Sequence, residues 1–218
     1  MNLEGYILNE IKGLHPSDSI KSAQQLFQGY PITHVPVIEN GHLKGCISES
    51  DAQTLDNTTT ISEHAYLLDS FSANENTTVL ELIKLFADFD CNVMPVLNKK
   101  MDYLGYYELS DILDIFSNSP FLHIDGTEII AEKSKKEFSV SEVSQIIESN
   151  NGRLLGFYIS HQTPDITQIT VKVISEDMNE IIQTFRRYNY NVVSRFEDDF
   201  YLQDLRERSN YLQKYLDM

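Results

Sequence analysis

The chain has 218 residues, and its 41% hydrophobic and 23% charged residues are typical of a globular protein. Its 33 acidic and 17 basic residues give a net charge of −16. This balance argues against nucleic acid and anionic membranes as partners, because both need clustered Lys and Arg.

The sequence gives no clear signal for a secretory leader, a membrane-spanning segment or a metal site at its cysteines. No basic, apolar leader opens it and no apolar run approaches the length of a membrane span, so we expect a cytoplasmic protein. Cys46 and Cys91 have no metal-ligand spacing, and they predict two buried thiols in a reducing compartment.

The first part of the chain alternates helical and strand patterns. Apolar residues at helical spacing follow Ser19, and two β-type runs flank Asn40-Gly41, the dipeptide most typical of a two-residue hairpin. The predicted elements are a short strand near Leu14, a helix over 20–29, a strand over 34–38, a turn over 39–41, a strand over 43–47 and a helix from Ser48 to about Leu55. The polar residues 56–63 are typical of a simple connection.

The same order of elements returns further along the chain. Thr78 precedes apolar residues at helical spacing, and a polar turn separates two more β-type runs. The predicted elements are a short strand near Phe71, a helix from residue 79, a strand over 92–97, a turn over 98–102, a strand over 103–107 and a helix from residue 108.

Two short motifs indicate that this order is a duplication. Val-Pro-Val at 35–37 matches Met-Pro-Val at 94–96, 59 positions later, and Gly45 to Asp51 matches residues 105–111, 60 positions later. A fixed period of this length indicates one structural unit written twice. We expect the two units to pack together and to leave paired clefts at their interface, which favours binding over chemistry.

This pattern resembles the CBS-domain family, whose domains occur in pairs called Bateman modules. The resemblance rests on the hydrophobic-Pro-Val strand ends and on the Gly-x-hydrophobic-Ser-x-x-Asp segment formed by Gly45, Ile47, Ser48 and Asp51. It implies an α/β (α+β) fold with a tandem CBS pair over residues 1–118, the first repeat at about 1–58 and the second at about 59–118.

In that family the Asp holds the ribose hydroxyls of an adenosine-type ligand, and the Ser or Thr meets its phosphate end. The resemblance therefore implies a binding site at Ser48, Asp51 and the adjacent Ile47, with Asp111 as the equivalent carboxylate of the second repeat. A carboxylate accepts two hydrogen bonds from a vicinal diol, and a hydroxyl at a helix N-terminus helps to bind an anion. The candidate regulatory ligands are AMP, ADP, ATP, S-adenosylmethionine and NAD, and no cofactor is required.

Other features of the sequence weigh against a nucleotide. Glu108 stands where the family has Ser or Thr in the second repeat, and residues 1–118 contain 6 Lys but no Arg to hold a phosphate. Ser48 and Asp51 also match a helix capping box, which explains both without a ligand. The two interpretations stay open, and a Lys at the Ser48 cleft, Lys12 or Lys44, would favour the ligand.

From Phe121 onward the pattern changes, and a second domain is predicted over 119–198. Two amphipathic helices separate four β-type runs. The predicted elements are a strand over 127–132, a helix over 139–149 ended by Gly152, strands over 153–161 and 166–174, a helix over 177–188 and a strand over 191–196. This βαββαβ order is the ferredoxin-like arrangement. Residues 199–218 predict a C-terminal helix that packs on its own chain or on a partner.

The ferredoxin-like order resembles the ACT-domain family, whose members pair side by side and bind amino acids near the loop after the first strand. Loop residues 134–138 lack the Gly that this family often carries there, so a dimerising role is favoured over an amino-acid site. A CBS pair followed by an ACT-like domain resembles the family of acetoin-utilisation accessory protein B.

The sequence contains no recognisable catalytic constellation. It has no Gly-rich phosphate loop, His-Glu-x-x-His or Gly-x-Ser-x-Gly motif, and its 6 histidines are scattered without metal-ligand spacing. We therefore predict a non-enzymatic homodimer that senses an adenosine-type nucleotide and relays its state to a protein partner by dimer rearrangement. The alternatives are a ligand-free dimeric interaction scaffold and an amino-acid sensor that uses the ACT-like domain.

Overall fold

The computed structural model of the protein describes residues 3–193. The chain forms two compact units, with the boundary between Asn118 and Ser119. The predicted C-terminal helix over 199–218, and the predicted end of the last strand at 194–196, lie outside the described residues. No helix within residues 3–193 is long and apolar enough to cross a membrane.

The first unit contains two repeats of helix, strand, strand and helix, as predicted. The short strand predicted near Leu14 is reduced to an isolated parallel pairing of Leu14 with Val37. The first repeat consists of α1 (Ile20–Gly29), β1 (His34–Glu39), β2 (His42–Ser48) and α2 (Glu49–Thr54). The second consists of β3 (Ala73–Asn74), α3 (Val79–Asp88), β4 (Val93–Leu97), β5 (Tyr103–Glu108) and α4 (Leu109–Ser117). Short 3-10 helices at Glu4–Tyr6 and Ile61–Leu67 lie outside the repeated elements.

Local sequence explains where these elements begin and turn. Ser19 caps α1 by accepting a hydrogen bond from a backbone amide of the first turn, and Thr78 with Glu81 forms a reciprocal capping box at the start of α3. Between β1 and β2, Asn40 (φ 53°) and Gly41 (φ 80°) both adopt the left-handed conformation that a type I′ hairpin needs.

The two hairpins share one register, which confirms the duplication in three dimensions. Val37 of β1 pairs with Gly45, and Val96 of β4 pairs with Gly105; a pairing irregularity follows both valines. The two glycines have nearly the same positive φ, 148° and 147°. A Cβ on Gly105 would lie 2.4 Å from the Leu8 carbonyl oxygen, so glycine is needed both for the backbone angle and for the close approach.

Each repeat has a hydrophobic core that includes side chains from the other repeat. The core of the first contains Val93 and Tyr106, which belong to β4 and β5. The core of the second contains Cys46 of β2, whose side chain is fully buried. The two repeats therefore fold around each other and share their buried surface.

The segment after α2 is more structured than predicted. We expected a simple connection over 56–63, but a 3-10 helix begins at Ile61, and Thr60 with Glu63 forms a capping box at its start. Ile61 is fully buried in the first core. One buried residue in a Thr-rich stretch produces no periodic pattern, so the sequence did not reveal it.

The second unit is a four-stranded antiparallel sheet with two long helices. Its elements are α5 (Pro120–His123), β6 (Thr127–Ser134), α6 (Val140–Ser149), β7 (Arg153–Gln162), β8 (Ile166–Ile174), α7 (Met178–Arg187) and β9 (Asn191–Val192). The strand order is β7-β8-β6-β9, with antiparallel neighbours, as in the predicted ferredoxin-like arrangement. Apolar residues of β6, β8, α6 and α7 form its core.

Two local features of the second unit differ from the prediction. The helix α5 was not predicted, because four residues are too few for a periodic pattern. The residue after α6 with a left-handed backbone is Asn151 (φ 56°), not Gly152, since Asn also tolerates this region. Gly152 lies close to α6, because a Cβ there would be 3.0 Å from the Ile147 carbonyl oxygen.

Candidate functional site

The predicted pair Ser48 and Asp51 lies where β2 passes into α2. Ser48 caps this helix, and its Oγ accepts a hydrogen bond from the Asp51 amide at 3.0 Å. The same hydroxyl donates to the Asp51 carboxylate, with Oγ 2.7 Å from Oδ2. Ser48 is buried and Asp51 is half-buried. Ser48 is therefore a helix cap, and its hydroxyl holds one carboxylate oxygen of Asp51.

Ser48 and Asp51 open onto a cavity of about 410 Å³, which we call the first cleft. It is lined by Thr33, His34, Ser48, Glu49, Ser50, Asp51, Asp69, Phe89 and Asp90. The volume lies within the range of small-molecule pockets. Both repeats contribute to the wall, so the first cleft is one of the interface clefts that the duplication predicts.

Carboxylates dominate the charge of the first cleft. Glu49, Asp51, Asp69 and Asp90 line it, and none of the described residues in its wall is Lys or Arg. The cation that would favour a phosphate ligand is therefore not supplied by Lys12 or Lys44. An anionic group that enters this cavity meets like charge, which raises the free energy of the bound state.

Lys44 forms an ion pair with Glu39 on the first hairpin. Its Nζ lies 2.9 Å from Glu39 Oε2, and the hydrogen bond and the positive charge lower the pKa of that carboxyl. The ion pair joins the two strands of the first hairpin. Lys44 is thus part of the hairpin surface and not of the first cleft.

Among the described residues of the first cleft, His34 alone can become cationic. His34 is buried, with its side chain 10% exposed, and its Nδ1 lies 2.9 Å from Thr33 Oγ1 and its Nε2 3.4 Å from Asp69 Oδ2. Burial lowers the pKa of His34, and the Asp69 carboxylate opposes that shift. A neutral imidazole leaves the carboxylates of the cleft uncompensated near neutral pH.

An aromatic surface forms part of the same cleft. Phe89 is 41% exposed, and its ring stacks on Phe71 with centroids 4.9 Å apart and planes 23° apart. The His34 ring meets Phe71 edge-on at 5.2 Å. An exposed ring fixed by a second ring offers a firm surface on which a planar base can stack.

A second cavity of about 470 Å³ lies at the equivalent place in the second repeat, and we call it the second cleft. It is lined by Ile11, Tyr30, Pro31, Ile32, Asn92, Glu108, Leu109, Ser110 and Leu113. Glu108 supplies the only formal charge among these residues, and most of the others are apolar. The residue expected from the sequence to repel a phosphate therefore does stand at this cleft.

Two predicted site residues lie away from these cavities. Ile47 is 1% exposed and packs in the first hydrophobic core, so its side chain does not face the first cleft. Asp111 is half-buried in the first turn of α4, and it is not among the residues that line the second cleft. The structure thus brings Ser48 and Asp51 together, but it gives Ile47 and Asp111 no comparable place.

Some of the residues that line the two clefts were not predicted from the sequence. Asp69, Phe89 and Asp90 reach the first cleft from the connection and from the end of α3, and no motif marks them. A usable signal did exist for the aromatic positions. Tyr30 and Phe89 stand 59 positions apart, which is the repeat period, and each lines the cleft of the other repeat.

Comparison with protein families identifies this architecture. The family model described as the CBS domain matches residues 7–55 and 67–118. An inosine-5′-monophosphate dehydrogenase of Korarchaeum cryptofilum is 22% identical over 109 residues, which are 50% of this chain and 23% of that protein. The chain therefore spans about a quarter of the length of that curated relative. The predicted CBS resemblance is confirmed.

Solved structures with a similar fold include several CBS pairs. A CBS domain pair/ACT domain protein of Thermotoga maritima has a TM-score of 0.48 and 18% identity, covering 53% of this chain and 96% of that one. CBSX2 in complex with AMP has a TM-score of 0.45 and 15% identity, covering 53% and 95%. The predicted resemblances of the second unit to ACT domains, and of the whole chain to acetoin-utilisation accessory protein B, stay predictions.

Proposed function

The first unit of this chain is a tandem pair of CBS domains, and we propose that its first cleft binds an adenosine-type ligand as a regulatory signal. The observation that carries the proposal is the half-buried Asp51 carboxylate in a cavity of about 410 Å³ that also presents the Phe89 ring. In the proposed complex the adenine stacks on the ring, and the carboxylate accepts hydrogen bonds from the ribose hydroxyls.

The geometry of Asp51 supports this role. Its Oδ2 accepts the Ser48 hydroxyl at 2.7 Å, while Oδ1 accepts no hydrogen bond from any residue of the described chain. The cap therefore fixes the orientation of the carboxylate and leaves one oxygen to a ligand. A fixed acceptor loses little side-chain entropy when the ligand binds.

The charge of the first cleft selects among adenosine compounds. Each phosphate brings negative charge toward Glu49, Asp69 and Asp90, and the described wall supplies no Lys or Arg to offset it. We therefore favour a ligand whose 5′ end is uncharged or cationic. Adenosine and S-adenosylmethionine fit this requirement better than AMP, and AMP fits it better than ADP, ATP or NAD.

A thermal-shift panel on the full chain tests the proposal. A ligand that binds only the native state raises the melting temperature, so we expect the largest rise with adenosine or S-adenosylmethionine and the smallest with ATP. Asp51→Ala should abolish the rise. The substitution leaves the backbone amide of residue 51 in place, so Ser48 continues to cap α2.

Asp111→Ala is the matched control, because it removes the equivalent carboxylate of the second repeat, which lines neither cleft. Its ligand-induced rise should equal that of the unmodified protein. A rise that persists in Asp51→Ala, or a flat panel, would contradict the adenosine site. A rise that is larger with ATP than with adenosine would contradict the charge argument alone.

We further propose that ligand binding changes the arrangement of the subunits, and that this change carries the signal. In a homodimer, a ligand favours one of two subunit arrangements by its difference in affinity for them, and the ACT-like unit contacts the second subunit or a protein partner. Sedimentation velocity on the same samples tests this proposal. A sedimentation profile that does not change at saturating ligand contradicts the relay.

The second candidate function is a dimeric interaction scaffold whose clefts hold no nucleotide. The observation that favours it is that neither cleft has a Lys or Arg among its described wall residues. Ser48 is also fully explained as a helix cap. For a scaffold, we expect a flat ligand panel together with self-association that is the same with and without nucleotides.

A further inference from the structure

We propose that the second cleft binds an organic cation whose body is apolar or aromatic. This cavity is separate from the proposed adenosine site. Three features of the cavity support this proposal: a carboxylate without a capping or ion-pair partner, a negative potential around it, and an apolar wall with an exposed ring.

Neither a capping hydrogen bond nor an ion pair accounts for the position of Glu108 at the cleft. It occupies the cap position of α4, but its side chain makes no capping hydrogen bond. The Ser110 hydroxyl donates to its Oε2 at 3.4 Å, a long contact. Within residues 3–193, no Lys, Arg or His forms an ion pair with it. A half-buried carboxylate without an ion-pair partner attracts a cation that enters the cavity.

A second carboxylate adds to the negative potential beside the cleft. The Tyr106 hydroxyl accepts a hydrogen bond from the backbone amide of Ile11, a wall residue, at 3.3 Å. Burial raises the pKa of Tyr106, and the charges of Glu108 and Glu10 raise it further. Both acids therefore act on one buried phenol, which is hydrogen-bonded to a wall residue of the cavity.

The remaining wall suits the body of the ligand. Ile11, Ile32 and Leu109 present apolar surface. Tyr30 and Leu113 also line the cleft and are 44% and 45% exposed. A ligand that covers these two side chains removes apolar area from water, and the Tyr30 ring attracts a cation over its face.

A metal ion fits this site poorly. Ca²⁺ and Mg²⁺ need several oxygen ligands, and the second cleft supplies one carboxylate. No group of three metal-ligating His, Cys, Asp or Glu side chains is found within residues 3–193. The chemistry of the cavity therefore selects an amine or other organic cation.

Three probes with one body and different charges test the inference. 2-Phenylethylamine, 2-phenylethanol and phenylacetate are titrated into the full chain, and affinities are measured from protein-observed NMR shifts. We expect the amine to bind about tenfold more tightly than the alcohol, and phenylacetate to bind most weakly. In Glu108→Gln the amine and the alcohol should bind within about twofold of each other.

Two further variants separate this site from the adenosine site. Glu108→Ser introduces serine, the residue that stands at the matching position 48 of the first repeat and caps a helix there. This variant should also bind the amine and the alcohol with similar affinity. Asp51→Ala should leave the amine affinity unchanged, whatever its effect on adenosine. The inference is overturned if no probe binds, if the amine and alcohol bind equally to the unmodified protein, or if the preference persists in both Glu108 variants.

Discussion

At the scale of single residues, the two clefts differ at matched positions of one repeated unit. Ser48 and Glu108 occupy the same place in the two repeats, and one is a helix cap while the other leaves its carboxylate at the cavity. Phe89 and Tyr30 also correspond. The repeated unit keeps these positions, and the side chain at each position sets the charge and polarity of the cleft wall.

Glycine has a structural task at the start of each returning strand. Gly105 has φ 147°, and a Cβ there would meet the Leu8 carbonyl oxygen at 2.4 Å. We expect Gly105→Ala to lower the free energy of unfolding by about 2–3 kcal/mol, since both backbone strain and a steric contact oppose the methyl group. Denaturant unfolding of the variant and of the unmodified chain measures the difference.

Gly5→Ala is the matched control for that substitution. A Cβ on Gly5 would meet nothing within 4 Å, so its effect should stay within about 0.5 kcal/mol. If the two alanine variants unfolded at the same denaturant concentration, the steric account of Gly105 would be wrong.

At the scale of elements, capping residues set where the helices begin, and they were readable in advance. Ser19, Ser48 and Thr78 each accept an amide hydrogen bond at the start of a helix. These caps act within four residues of sequence, so propensity and spacing reveal them. The helix Ile61–Leu67 was not predicted, because its single buried residue becomes meaningful only when the rest of the core is present.

The capping box of α3 predicts a pH dependence of stability. Hydrogen bonds from the Thr78 backbone N–H and then from its hydroxyl lower the pKa of Glu81 below its ordinary value of 4.5. A lowered folded-state pKa adds stability above the unfolded-state pKa, and that stability is lost as the pH falls through the folded-state pKa. The stability difference between the unmodified chain and Glu81→Gln should therefore be larger at pH 6 than at pH 3.

Equilibrium unfolding at the two pH values measures this difference. Glu75→Gln is a suitable control, because Glu75 is acidic and close in sequence but is not part of the capping box. An equal difference at both pH values would show that the Glu81 carboxylate makes no favourable contact in solution.

At the scale of the whole molecule, the two CBS repeats share their cores. Val93 of the second repeat packs in the first core, and Cys46 of the first packs in the second. Burial raises the pKa of Cys91 to about 12 and raises that of Cys46 further, which keeps both thiols protonated and inert at neutral pH. Because side chains of each repeat pack in the core of the other, we expect the two repeats to behave as one folded body.

Shared cores predict cooperative opening of the first unit. Val93→Ala removes buried methyl groups from the first core and should cost about 1–3 kcal/mol. We expect hydrogen exchange to speed up to a similar extent in α1 and in α3, although Val93 belongs to neither helix. Mass spectrometry of exchanged peptides measures both helices in one experiment.

Val143→Ala supplies the control for that experiment. Val143 is fully buried in the core of the second unit, so its truncation should speed exchange there and leave α1 unchanged. Acceleration in α1 without any in α3 after Val93→Ala would mean that the repeats open independently.

The sequence by itself determined the duplication, the hairpin turns, the helix caps and the pair Ser48 and Asp51, because each depends on neighbours within a few residues or on a fixed period. Tertiary structure alone decided which distant residues line the clefts. Asp69 and Phe89 reach Asp51 only because the two repeats interlock. The sequence marks Asp51, but only packing places it in one cavity with Asp69 and Asp90, and these acids set the charge of that cavity.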